Sequence, residues 1–273
     1  MEFARGHGTG NDFVVLPDLG GELDLSGDLV RALCDRRTGV GGDGTLRIVP
    51  TAKVPEAVGL AGEAYWFMDY RNADGSLAEM CGNGIRVYAR WLQRADLIEP
   101  GPLPVATRDG IKVVHVPADP EGDLTVEMGV PVLPGTPRTV SVPSGTRSGI
   151  EVDMGNPHVV VEVDDVADAG PLLEPPVLDP PSAANVEFVQ GVAPGRLRMR
   201  VFERGAGETR SCGTGACAAA VAAAVRNGDG EGSYDVEVPG GRLHVDWHGS
   251  VTLTGPAEIV ATGTVDAAWL ATR

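Results

Sequence analysis

The sequence predicts an α+β fold made of two related domains, and three observations carry that prediction. Strand-like alternation recurs along the chain, as in "IKVVHV" (111–116) and "YDVEVPGGRLHVDWHGSVTLTG" (234–255). Helical patterning is confined to a few segments between the strands. Two short signatures occur twice, in the same order. "GNDFVV" (10–15) is echoed by "GNPHVV" (155–160), and "MCGNGIRVYA" (80–89) by "SCGTGACAAA" (211–220). A repeated order with different spacing is what duplicated domains with unequal loops leave behind.

The start, "MEFARGHGTGNDFVVLPD", lacks the basic and apolar regions of a secretory leader and reads as strand sequence. "DLVRALCDRR" (28–37) has helical spacing and runs into the glycine-rich "TGVGGDG"; Cys34 within it is expected to be structural. "TAKVPEAVGLAGEAYW" (51–66) is longer than a plain strand link and suggests no function. The segment after Cys81 is rich in helix formers, and "PADPEGD" (117–123) marks the junction between domains. The expected division is 1–118 for the first domain and 119–261 for the second. "PLLEPPVLDPPSAA" (171–184) holds five prolines and is expected to be an extended surface connection. "GACAAAVAAAV" is apolar on every side and predicts a central buried helix, with Cys217 as packing. The strands of 234–255 are expected to turn at Gly240 and Gly241.

Thirty-eight acidic residues against 22 basic ones give a net charge of −16. That charge opposes binding to nucleic acid or to anionic membranes. The longest uncharged run, Cys212–Val225, is too short to span a bilayer. The expectation is a cytoplasmic protein acting on a small molecule, with a homodimer left open. The chain has no CxxC pair and no HExxH, so no metal is expected. It has two lysines, Lys53 and Lys112. Neither lies by a phosphate cradle, which argues against pyridoxal chemistry; no cofactor is expected.

The chemistry sits in the repeated Cys-Gly-x-Gly motif. A cysteine at a helix start lies beside N–H groups that have no intrahelical partner and beside the positive end of the helix dipole. Glycines let a ligand approach that backbone, which makes an anion site next to a sulfur. Cys81 and Cys212 would then be two such sulfurs. A carboxylate held by both helix starts would have one on each face of its α-carbon. That arrangement suits removal of a proton from one side and its return from the other. One such motif alone is more often a buried, packed cysteine; two in register favour the catalytic reading. A non-enzymatic thiol switch is the competing class.

The stretches "GTGNDFVV", "YRNADGSLAEMCGNGIR", "MGNPHVV" and "FERGAGETRSCGTGACA" resemble the signature segments of diaminopimelate epimerases. The resemblance spans nearly the whole chain. It implies two similar domains, each a mixed β-sheet curled around a central helix, with the last segment, 262–273, returning to the first domain. It implies cofactor-independent interconversion of LL- and meso-diaminopimelate, on the route to lysine and peptidoglycan, by a thiolate/thiol pair of Cys81 and Cys212. Substrate contacts are implied at Asn11, Asn72, Gly82, Asn83, Asn156, Asn185, Glu203, Arg204, Gly213 and Thr214. His158 is a candidate for support of proton transfer. Arg204 can pair a carboxylate in bidentate fashion and Glu203 can accept from an ammonium. Some members carry a glutamine where this chain has Gly44, and a glycine cannot supply that contact. A racemase of another amino acid on the same scaffold is the competing enzyme.

Overall fold

The first cysteine motif opens a helix that the strands of the first unit surround. In the computed structural model, residues 1–143 and 145–273 are described. The first unit opens with β1 (Glu2–Gly8) and β2 (Asn11–Pro17), an antiparallel pair. Helix α1 (Gly27–Cys34) follows, capped by the Ser26 hydroxyl, and buries Val30, Leu33 and Cys34. Next come β3 (Gly44–Pro50), parallel to β2, and β4 (Trp66–Asn72), antiparallel to β3. Residues 51–66 between them form two short 3-10 turns that cover an apolar cluster of Val49, Val54, Ala57, Ala64 and Phe67. That stretch closes one edge of the core. Helix α2 (Gly82–Arg94) leads to β5 (Gly101–Thr107), parallel to β4, and β6 (Gly110–Val116), antiparallel to β5. The helix packs against β1, β2, β3, β4 and β6.

β7 (Leu124–Gly129) pairs with β6, and the first unit ends within it at Val126. The second unit runs from Glu127 to Gly255. It contains β8 (Arg138–Val142), β9 (Gly145–Asp153), β10 (Pro157–Glu162), β11 (Leu178–Asp179), β12 (Asn185–Ala193), β13 (Arg196–Glu203), β14 (Gly207–Thr209), helix α3 (Gly213–Asn227), β15 (Gly232–Val238), β16 (Gly241–His248) and β17 (Ser250–Gly255). Helix α3 packs against β9, β10, β12, β13, β15, β16 and β17. Its residues Gly215–Ala224 are buried, as an apolar, alanine-rich helix requires.

The pairing sequence of the two units is the same. β1–β2 is antiparallel, β2–β3 parallel, β3–β4 antiparallel, β4–β5 parallel, and β5–β6 and β6–β7 antiparallel. Seven strands of the second unit, entered at β9, repeat this. β9–β10 is antiparallel, β10–β12 parallel, β12–β13 antiparallel, β13–β15 parallel, and β15–β16 and β16–β17 antiparallel. Each sheet curls around its own helix, so the duplicated signatures belong to a duplicated α+β topology.

The chain returns to the first unit at Pro256. There β18 (Glu258–Thr264) pairs antiparallel with β1, and α4 (Ala267–Leu270) follows. Trp269 and Leu270 pack on the α1 cluster, and the Trp269 indole donates to Thr38 O at 3.2 Å. The crossings thus fall near 126 and 256, against the expected 118 and 262.

Two local details differ from the sequence reading. The β15–β16 hairpin turns at Pro239 and Gly240, one residue early, because Val238 pairs with Gly241. The proline-rich segment is anchored at three points: Leu172, Leu178 and Ala184 are buried in a cluster with Val140, Val159 and Phe188. Among the described residues, no helix is long and apolar enough to cross a membrane.

Candidate active site

Each cysteine of the repeated motif is the N-cap of its helix. Cys81 has extended backbone angles, and its Sγ accepts from Gly84 N at 3.4 Å; Cys212 does the same with Gly215 N at 3.4 Å. The first i→i−4 bonds are Ile85 N to Cys81 O and Ala216 N to Cys212 O. The N–H groups of Gly82 and Asn83, and of Gly213 and Thr214, therefore lie ahead of the helical ladder, beside a sulfur and at the positive dipole end.

In the first unit, Asn11 begins β2 and reaches the motif. Its Oδ1 lies 3.6 Å from Cys81 Sγ and accepts from Asn83 Nδ2 at 3.3 Å. The carboxamide is held in this sense from its other end, where Nδ2 donates to Asp43 at 2.8 Å. Asp43 is in turn clamped by Arg36 at 2.7 Å. The buried Arg86 guanidinium donates to Gly82 O at 3.0 Å and to Asn83 Oδ1 at 2.9 Å, placing a cation under this helix start. Asn72 is held within a turn: it accepts from Tyr70 Oη at 2.9 Å and donates to Ser76 Oγ at 3.0 Å.

In the second unit, Thr214 Oγ1 is 3.5 Å from Cys212 Sγ, and Asn156 Nδ2 donates to that hydroxyl at 3.4 Å. His158, fully buried, bridges Asn156 Oδ1 at 3.0 Å and Glu187 Oε1 at 2.7 Å. Asn185 is tied at both ends to backbone: it accepts from Arg204 N at 2.9 Å and donates to Pro157 O at 3.4 Å. Arg204 extends one guanidinium nitrogen to Ala183 O at 3.3 Å. Glu203 accepts a short hydrogen bond from the Thr209 hydroxyl.

The electrostatics of the two cysteines differ. Burial pushes the Cys212 thiol well above its ordinary range, and the Glu203 and Glu187 carboxylates push it the same way, against weaker donors at Thr214 and Gly215. Burial likewise raises the Glu203 carboxyl. Cys34 is also buried and raised, to about 12, first by burial and then by Asp43 and Asp12. Cys217 is fully buried in the α3 core. Neither carries a helix-start N–H, as expected of packing cysteines. Among the described residues, no His/Cys/Asp/Glu cluster could hold a metal ion.

Strand register shows that the site positions are themselves duplicated. The signatures align Asn11 with Asn156 and Phe13 with His158. Phe13 pairs with Gly44 and His158 with Asn185, so Gly44 and Asn185 correspond. The next strands make Asn72 the counterpart of Glu203, and the helix starts match Cys81, Gly82 and Asn83 with Cys212, Gly213 and Thr214. Glu187, absent from the sequence reading, stands where the first unit has Leu46. Only the pairing register reveals it, because "NVEF" carries no motif.

A family model described as diaminopimelate epimerase matches residues 3–134 and 150–266. A diaminopimelate epimerase of Streptomyces coelicolor is 52% identical, over 99% of this chain and 97% of that protein. One from Thermobifida fusca is 50% identical, over 97% and 98%. Among solved structures, a PhzF-family phenazine biosynthesis protein of Bacillus anthracis superposes with TM-score 0.71 at 17% identity, covering 97% and 98% of the two chains. A hydroxyproline epimerase of Agrobacterium vitis gives 0.64 at 16%, covering 96% and 91%. The structural likenesses speak to fold alone. The identity over the full length, the matched model and the two cysteine-capped helices place the chain in the diaminopimelate epimerase family.

Proposed function

We propose that this enzyme interconverts LL- and meso-diaminopimelate without a cofactor, using Cys81 and Cys212 as a thiolate/thiol pair. The observation that carries this reading is a cysteine N-cap at each of two helix starts in a full-length member of the family. One sulfur, as thiolate, takes the α-proton from one face of the carbon. The electron pair left behind delocalises into the carboxylate. The N–H groups of Gly82, Asn83, Gly213 and Thr214 stabilise the growing charge, and such donors are worth about 2.7–4 kcal/mol each at a developing oxyanion. The other sulfur, as thiol, delivers a proton to the opposite face. The enzyme is left with its two protonation states exchanged, and exchange with solvent resets it.

Asn11, held by Asp43, and Asn156, held by His158, are assigned to substrate contact beside the sulfurs. Arg204 is assigned to the distal carboxylate and Glu203 to an ammonium, with Asn72 and Asn185 completing the distal end. Asn185 supports Arg204 through its backbone N–H, so its contribution includes placing that arginine. The enzyme is further assigned to the cytoplasm.

Incubation of the reduced protein with either isomer in deuterated water tests the chemistry. Product carrying one deuteron at the inverted α-carbon is expected, and unlabelled product would remove the two-thiol reading. Cys81→Ser and Cys212→Ser are each expected to lose turnover by a factor of at least about 10² while still binding substrate. Equal turnover of a monocarboxylic amino acid would point instead to a racemase of another substrate.

A further inference from the structure

The duplicated fold contains its own control experiment. Under the first helix start, Gly84 has Leu46 Cδ2 and Phe13 Cζ at 3.3 and 3.4 Å from where its Cβ would lie. Under the second, the corresponding side chains are Glu187 and His158, both fully buried and 2.7 Å apart. The same strand pairing therefore closes equally well over an apolar pair and over an ionisable one. A buried carboxylate and imidazole cost desolvation that Leu and Phe avoid, and hydrophobic replacement of such pairs is often neutral or stabilising. The fold does not require the polar pair, so the reason for it lies in the chemistry at Cys212.

The contacts show what the pair reaches. Glu187 Oε1 lies 2.7 Å from the position a Cβ on Gly215 would take, so the carboxylate presses against the first turn of α3. From Glu187 an unbroken chain of polar contacts runs to the sulfur: to His158 at 2.7 Å, Asn156 at 3.0 Å, Thr214 at 3.4 Å and Cys212 at 3.5 Å. Both ring nitrogens of His158 face oxygens, Glu187 Oε1 and Asn156 Oδ1. Donation to both oxygens takes a proton on each ring nitrogen, so it is the imidazolium form of the ring that donates from Nδ1 to Glu187 and from Nε2 to Asn156. The carboxamide is thereby turned so that its NH2 faces Thr214, which leaves the threonine hydroxyl proton for the sulfur. A carboxamide does not relay a proton, so the chain transmits orientation only. Glu187 Oε2 is buried and has no hydrogen-bond partner among the described residues. One oxygen is thus spent on His158 while the other contributes charge alone.

We propose that Glu187 is a positioning residue for the epimerisation: it fixes the ring of His158, and through Asn156 and Thr214 it sets the hydrogen bonding of the Cys212 sulfur. This rests on the two-thiol reading above. The charged groups acting on that sulfur are Glu203 on β13, which also shares a hydrogen bond with it, and Glu187 on β12, while His158 on β10 acts on Glu203.

The test compares Glu187→Gln with a His158→Phe/Glu187→Leu double variant that copies the first unit's pair. Both are expected to melt near the parent temperature. Both are expected to lose roughly 10- to 100-fold in kcat, the worth of a charge-assisted hydrogen bond, with KM nearly unchanged. In Glu187→Gln, the proton NMR signal of the His158 Nδ1–H is expected to move upfield as its carboxylate partner is lost. The pH inflection of iodoacetamide alkylation at Cys212, read in a Cys81→Ser background, should move by about one unit or more. Unchanged kcat together with an unmoved inflection would overturn the proposal, as would a rise in KM with kcat unchanged, which marks a loss of binding alone. The alkylation readout needs no turnover, so failure of the epimerase reading itself would show separately, as absent deuterium uptake in the parent enzyme. If the double variant does not fold, Glu187→Gln alone carries the decision.

Discussion

At the scale of single residues, the site depends on side chains held by others. Asn11 is oriented by Asp43, Asn156 by His158, and Arg204 by the carboxamide of Asn185. Charge sits unevenly around the two sulfurs, with the Arg86 cation below the Cys81 helix start and the Glu187 and Glu203 carboxylates about Cys212. The neighbour of Asn11 offers a test of the network that holds this end of the first unit. Burial would raise the Asp12 carboxyl, but hydrogen bonds from Arg36 and Arg5 outweigh it and hold it down to about 2. An unfolded aspartate titrates near 3.9. Its contribution to stability is therefore complete above about pH 4 and is lost as the pH falls toward about 2. Asp12→Asn is expected to lower stability at pH 6 and to flatten the acid limb between those values, as urea midpoints measured across that range would show. A variant losing stability equally at every pH would contradict the linkage.

At the scale of elements, the helix starts explain why glycine follows each cysteine by three residues. In a helix interior alanine outranks glycine by about 1 kcal/mol. At Gly215 that preference is overridden, since a Cβ would lie 2.7 Å from Glu187 Oε1 and 3.3 Å from Cys212 Sγ. At Gly84 the nearest atoms of other strands are side-chain carbons at 3.3 and 3.4 Å, which can give. Gly215→Ala is expected to lower the melting temperature and turnover clearly more than Gly84→Ala. Comparable melts for the two would show that the carboxylate moves aside at little cost. These helices were legible in the sequence, because the N-cap cysteine, the glycines and the apolar run are local signals. The 3-10 turns of 51–66 and the anchoring leucines of the proline-rich segment were not, since both depend on which distant strand they cover. Gly44 is another case: a side chain there would meet Arg71 O at 2.5 Å, so the pairing with β4 explains the glycine where local sequence did not.

At the scale of the whole molecule, the first unit is discontinuous and must hold two chain crossings. Arg90, nearly fully buried on α2, donates to Ala257 O at 3.1 Å and to the carbonyls of Pro120 and Gly122. One side chain thus ties both crossings to the helix that Cys81 caps. Arg90→Met removes these donors and leaves buried carbonyls, each costing about 1–3 kcal/mol. A loss of at least about 3 kcal/mol in urea unfolding is expected. A smaller loss would mean that water reaches those carbonyls.

The sequence by itself determined the duplicated signatures, the cysteine-capped helices, the buried alanine-rich core of α3 and, through its resemblance, the family. Each of these is written in neighbouring residues or in a repeated string. Only tertiary structure decided that Gly44 answers to Asn185, that Asn72 answers to Glu203, and that Glu187 with His158 stands where Leu46 and Phe13 stand in the other unit. Those correspondences are set by hydrogen-bond register between strands far apart in the chain. A one-residue slip would turn every side chain to the opposite face, so no local pattern could announce them.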